Sequence, residues 1–200
     1  MSIDYEQLET YCEDPREEIA NLKSSVENHF SLEPDQPYRA KVIFYNYFGK
    51  KLIGVSSRHC EDIHDYHKAL AEMMYAYSAF DAESAVLALD SNLIEHGKVV
   101  SSVINVYFLD DDTAHIVRLP YNVDSNKVSW IEHKFSLSQI DISQKHNDTQ
   151  KVIEVLYVFT HLRGSPFSRS HLLSYYSANG FNFKPFKKFN LSYIDFNNVS

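Results

Sequence analysis

Apolar residues recur along this chain in two periods, and the switches between them mark out its elements. Residues 15–30 place Ile19, Leu22, Val26 and Phe30 at steps of three and four, which makes one apolar stripe on an otherwise polar helix. Asp14-Pro15-Arg16-Glu17 opens that helix with a cap acid, proline at the first helical position and an acid three residues after the cap. A helix patterned this way must pack on something. A shorter helix is expected near residues 3–12, and Pro34 and Pro37 end the segment in a loop.

From Arg39 the pattern changes. Arg39 to Phe48 is rich in Val, Ile, Tyr and Phe, and a Gly49-Lys50 turn returns the chain through Leu52 to Val55, which predicts a β-hairpin. Both faces of its first strand are apolar or aromatic, so both are expected to be covered. Residues 60–78 go back to helical spacing with Ile63, Tyr66, Leu70, Met73 and Tyr77. Residues 83–94 fit two states, a buried strand over Ala85 to Leu89 or an Ala-rich helix framed by Asp81 and Gly97, and the strand is preferred.

Runs at 99–109, 114–123 and 128–135, separated by turns at Asp110-Asp111-Asp112 and Asp124-Ser125-Asn126, predict an antiparallel meander. Beyond a polar loop, Asp148 caps a helix bearing Val152, Val155, Leu156, Phe159 and Leu162. A second helix over 168–178 stops at Asn179-Gly180, and the tail at 181–196 adds a strand. The expected fold is α+β: an antiparallel sheet (hairpin plus three-stranded meander) packed with about four to five helices in a single domain. Residues 1–36 form its helical arm and residues 37–200 its globular body.

Composition supports a real core, since the 200 residues are 44% hydrophobic and 23% charged. A chain of this size buries roughly 70% of its unfolded surface. Its longest uncharged apolar stretches, such as 103–109, fall far short of the roughly 20 residues that span a bilayer, so no membrane span is expected. The opening Met1-Ser2-Ile3-Asp4-Tyr5-Glu6 is acidic where a secretory signal is basic and then apolar. Cys12 and Cys60 are too few for a disulfide framework and are read as reduced thiols of a cytoplasmic protein.

Charge is unevenly placed. Residues 1–36 hold ten acids and two bases, which accounts for the whole net charge of −8, while the rest of the chain is balanced and residues 166–200 carry a small positive excess. The carboxylates of Glu6, Glu9, Glu13, Glu17 and Glu18 are therefore the candidate surface for a basic protein partner or for self-association through the basic tail. A plainer role for Glu17 and Glu18 is to sit at the positive end of the helix dipole.

Two further candidates carry chemistry. Cys60, His64 and His67 lie at i, i+4 and i+7 on one helix face, a donor set suited to zinc, with Asp62 or Asp65 as a base in a metal-dependent enzyme. No second Cys/His pair completes metal-site spacing, and ordinary packing of the stripe is the simpler reading. In the tail, Phe181-Asn182-Phe183-Lys184-Pro185-Phe186-Lys187-Lys188-Phe189 interleaves aromatics with lysines, so Lys184, Phe186, Lys187 and Lys188 form a candidate single-stranded nucleic-acid surface. The acidic balance of the whole chain opposes it.

Asp110-Asp111-Asp112 lacks calcium-loop spacing and reads as a solvated turn. No Gly-x-Ser-x-Gly elbow is present, and the five glycines are too scattered for a phosphate-cradling loop. The pattern favours a small non-enzymatic protein-binding or regulatory accessory protein, without a cofactor. Its wealth of Tyr, Phe, Asn and Lys is compatible with an AT-rich source such as a phage or mobile element.

Overall fold

A computed structural model of the chain describes residues 3–57, 82–110, 113–141 and 191–195. Among these residues one α-helix, α1 (Pro15–Leu32), precedes eight strands: β1 (Lys41–Tyr45), β2 (Lys51–Ser57), β3 (Ser84–Glu95), β4 (Lys98–Leu109), β5 (Thr113–Asp124), β6 (Lys127–Trp130), β7 (Ser136–Asp141) and β8 (Leu191–Asp195). All pair antiparallel in one sheet, along the path β6-β5-β4-β3-β1-β2-β8, with β7 also pairing β5. About half of the described residues are strand.

This corrects the expectation of an α+β fold with four to five helices: the described protein is mostly sheet, and α1 is its single α-helix. The segment near residues 3–12 forms only a one-turn 3-10 helix, Glu6–Leu8. The helices expected over 60–78, 148–163 and 168–178 lie outside the described residues. The segment at 83–94 is strand, as preferred, over Ser84–Glu95. The hairpin turns before Lys51 as expected, although its first strand ends at Tyr45 rather than Phe48. The Asp124-Ser125-Asn126 turn and a strand within the tail are where the pattern put them, and Asp111 and Asp112 lie outside the described residues.

The end of the meander differs. Its third strand stops at Trp130, a 3-10 turn at Glu132–Lys134 intervenes, and the supposed loop continues as β7, which pairs with the first half of β5 while β6 pairs with the second. Ser136-Leu137-Ser138-Gln139-Ile140-Asp141 has little intrinsic strand preference. Its register against β5 overrides that deficit, because each ladder position satisfies backbone groups that would otherwise be orphaned.

α1 begins as its residues dictate. Asp14 Oδ1 accepts from the backbone N–H groups of Arg16 (3.0 Å) and Glu17 (2.9 Å), with Pro15 at the first position. Ile19, Leu22, Val26 and Phe30 are buried together with Ile43, Val86, Ile104, Val106, Phe108, Val117, Leu119 and Tyr121 of the central strands. Each such side chain contributes about 1.5–3 kcal/mol on burial. The helix is about 27 Å long by its rise per residue, and it reaches from Lys51 at β2 to Trp130 at β6.

Residues before the helix join the same core, since Ile3, Leu8, Tyr11 and Cys12 are buried in it. The opposite face of the central strands is covered as well, with Val42, Phe44, Leu87, Leu89, Val103, Tyr107 and Ile116 buried. Double-sided burial explains why β1, β3 and β4 read as nearly continuous apolar runs rather than clean alternations.

Candidate functional site

Three acids of the leading segment, Glu18, Glu27 and Glu33, are engaged by side chains from elsewhere in the fold. Glu18, 5% exposed, turns inward and its Oε2 lies 2.8 Å from Lys51 Nζ. Glu27 accepts from the indole N–H of Trp130 at 2.6 Å, and Glu33 takes the guanidinium of Arg39 through both oxygens, at 2.9 and 2.6 Å. Lys23, one of two cations in the helix, reaches Glu132 at 3.1 Å and lies 5.3 Å from the ring centres of both Trp130 and Phe135.

Glu6, Glu9, Glu13 and Glu17 are different. All four are exposed, and among the described residues none is in an ion pair. Glu17 accepts only a long 3.5 Å contact from Asn21. Of the five acids the sequence marked for a partner, the structure thus leaves four on the surface and removes Glu18 to the interior. The signal for Glu18 was available, because it directly precedes Ile19 and stands four residues before Leu22.

The Glu18 neighbourhood is a dense titratable cluster of Cys12, Lys41, Tyr45 and Lys51. Burial, reinforced by the charge of Glu18, pushes the Cys12 thiol up to about 12, although Lys51 opposes the shift. Burial lowers Lys41, against the pull of Glu18. Tyr45 is pushed upward by burial and then by the same carboxylate, and its hydroxyl closes no hydrogen bond of good geometry. A buried protonated thiol beside a carboxylate is a poor nucleophile, so the cluster offers no acyl-transfer chemistry.

A surface feature the sequence reading passed over lies beside these acids. The β1–β2 turn presents Tyr47 and Phe48, 81% and 76% exposed, with ring centres 5.6 Å apart and planes at 85°. It is tightly held: Asn46 Oδ1 accepts from Phe48 N–H (2.9 Å) and Lys50 N–H (3.0 Å), Asn46 N–H donates to Lys50 O (3.0 Å), and Gly49 N–H donates to Asn46 O (2.9 Å). Glu13 N–H donates to Gly49 O at 3.1 Å, which ties the turn to the acidic segment. Two consecutive aromatics directly before a turn glycine were the available signal.

Two buried polar networks brace the helix-covered face. Asp90, in β3, accepts from Tyr38 N–H (3.0 Å) and Tyr121 O–H (2.9 Å), and burial holds its carboxyl above the usual range despite those bonds and the nearby His29. The hydroxyl of Tyr11 lies 2.7 Å from Thr113 Oγ1 and 2.8 Å from His115 Nδ1, while Asp110 Oδ1 accepts from Thr113 N–H at 2.7 Å. Asp110 therefore does turn chemistry, as its position in the aspartate run suggested.

Cys60, Asp62, His64, Asp65 and His67 lie outside the described residues, and so do Lys184, Phe186, Lys187 and Lys188. Among the described residues, no three His, Cys, Asp or Glu side chains gather as metal ligands, and no helix is long and apolar enough to cross a membrane. A scan against protein-family models finds no match, and comparison with curated proteins and with solved structures finds no significant similarity.

Proposed function

We propose that the chain is a non-enzymatic binding or regulatory protein of the cytoplasm, and that Glu6, Glu9, Glu13 and Glu17 present a fixed negative surface to a basic protein partner. The supporting observation is that four exposed, unpaired carboxylates sit on a segment whose apolar side chains are locked into the core. Stability does not explain them all. The dipole of α1 favours acids in its first turn by about 0.3–1 kcal/mol and fades beyond it, so it accounts for Glu17 but leaves Glu6 and Glu9 without a structural benefit.

Rigid backing matters because a preordered surface avoids the ordering cost of binding. Clustered charge raises association rates and discriminates against acidic competitors. The buried, free Cys12 fits a reducing compartment.

The test compares the wild type with a Glu6→Lys/Glu9→Lys/Glu13→Lys/Glu17→Lys variant as immobilised baits in a host lysate at low and high salt. A basic protein retained by the wild type, released by salt and missed by the variant supports the proposal. Identical captures by the two baits, or an empty wild-type bait at low salt, would refute it.

A further inference from the structure

We propose that Tyr47 and Phe48 anchor this surface by seating an arginine side chain from a basic segment of the partner protein, with Glu13 and Glu17 engaging its charge. The inference rests on the acidic-surface reading and adds a recognition element to it. Exposed aromatics are common singly, but here two adjacent rings stand almost fully in solvent on one turn. Five backbone and side-chain hydrogen bonds fix that turn, so the backbone that carries the two rings is held in one conformation.

Gly49 shows how specific the arrangement is. Its φ is +69°, and a Cβ placed there would stand 2.8 Å from the backbone nitrogen of Glu13. Only glycine allows the turn to approach the acidic segment so closely. The approach sets the backbone of Glu13 against the aromatic turn, and Asp14 and Glu17 follow directly as the cap and first turn of α1. Lys50 is the exposed cation of the turn, whereas Lys51 is held by Glu18. On the two segments that meet here, the exposed carboxylates Glu13, Asp14 and Glu17 outnumber the exposed cations Arg16 and Lys50.

Charge and rings together select the occupant. A guanidinium stacks on an aromatic face through the ring quadrupole while its planar fork meets carboxylates, and lysine does both less well. Aromatic side chains are also the ones that dominate interface energetics while losing little conformational freedom. A membrane surface would use exposed aromatics too, but carboxylates around them repel anionic lipid.

The experiment measures fluorescence anisotropy of a labelled arginine–serine repeat peptide and its lysine–serine counterpart against the full chain. Tighter binding of the arginine peptide is expected, and Tyr47→Ser/Phe48→Ser should weaken it roughly fivefold to thirtyfold. Tyr47→Leu/Phe48→Leu, which keeps apolar surface without ring faces, should weaken it similarly, and thermal melting of both variants should match wild type. Unchanged affinity in the serine variant, with binding lost in Glu13→Lys/Glu17→Lys, overturns the anchor and leaves the acidic surface standing. Failure of the wild type to bind either peptide overturns the anchor, and if the lysate capture is also empty both readings fall. Aromatic-dependent sedimentation with phosphatidylserine-containing vesicles, without peptide binding, assigns the pair to a lipid surface and overturns the proposal.

Discussion

The carboxylate of Glu18 and the ammonium of Lys51 meet at 2.8 Å beneath the first turn of α1, joining the helix to the β1–β2 hairpin through a pair buried on the acid's side and one-third exposed on the lysine's. Removing one member of a buried pair leaves the other uncompensated, which costs 3–5 kcal/mol in full burial. Solvent at Lys51 lowers that figure, so Lys51→Ala is expected to destabilise by about 1–3 kcal/mol. Urea denaturation of Lys51→Ala, Glu18→Gln and the double variant measures the coupling; additive effects would show that the contact contributes nothing.

Two glycines separate strain from collision. Gly97, at φ +75° in the β3–β4 turn, has open space where a Cβ would stand, whereas Gly49 meets the backbone of Glu13. Gly97→Ala is expected to cost about 1–2 kcal/mol for its left-handed conformation alone. Gly49→Ala should cost at least about 1 kcal/mol more, since the Glu13–Gly49 hydrogen bond must also yield. Equal midpoints in urea would contradict the close approach.

Asp90 and His115 make stability depend on pH in opposite senses. Burial raises the Asp90 carboxyl, so the native state holds that proton more firmly than the unfolded chain does. Its stabilising contribution is complete below the ordinary carboxylate value of about 3.9 and is lost as pH rises through the elevated native one. Asp90→Asn should remove this dependence, so the stability gap between wild type and variant should change through that window. A constant gap from acid to neutral pH would contradict it.

Burial lowers His115, although the charge of Asp110 pulls the other way. The unfolded chain therefore takes the proton first, and stability present above the ordinary histidine value of about 6.5 is lost as pH falls through it. His115→Gln should flatten the curve between neutral pH and about pH 5. A wild-type slope retained by the variant would assign the dependence elsewhere.

Cys12 is 1% exposed with its thiol pushed up to about 12, so it should resist a thiol reagent until the protein unfolds. In a Cys60→Ser background, where Cys12 is the remaining thiol, Ellman's reagent should react with less than about a tenth of native chains in the time that labels all denatured chains. Fast native labelling would show that the segment before α1 opens readily from the core.

What the chain order determines by itself is local. The Asp14-Pro15 start, the four-residue stripe of α1 and the Gly49 and Asp124-Ser125-Asn126 turns depend on residues within a few positions, so short-range periodicity and turn chemistry reveal them. Both central residues of the β5–β6 turn have positive φ, as tight hairpins demand. The preferred strand at 83–94 follows from the same logic.

Tertiary structure decided what depends on residues far apart. The place of Glu18 beside the apolar stripe is local, but only the fold brings Lys51 to it, and nothing near Asp90 in the chain points to Tyr38, 52 residues away, whose N–H donates to it. β7 exists because β5 offers it a ladder, and Tyr47 and Phe48 look like ordinary strand residues until the hairpin turns beneath them. Periodicity reports which face of an element is apolar; it carries no information about which distant charge, ladder or solvent that element meets.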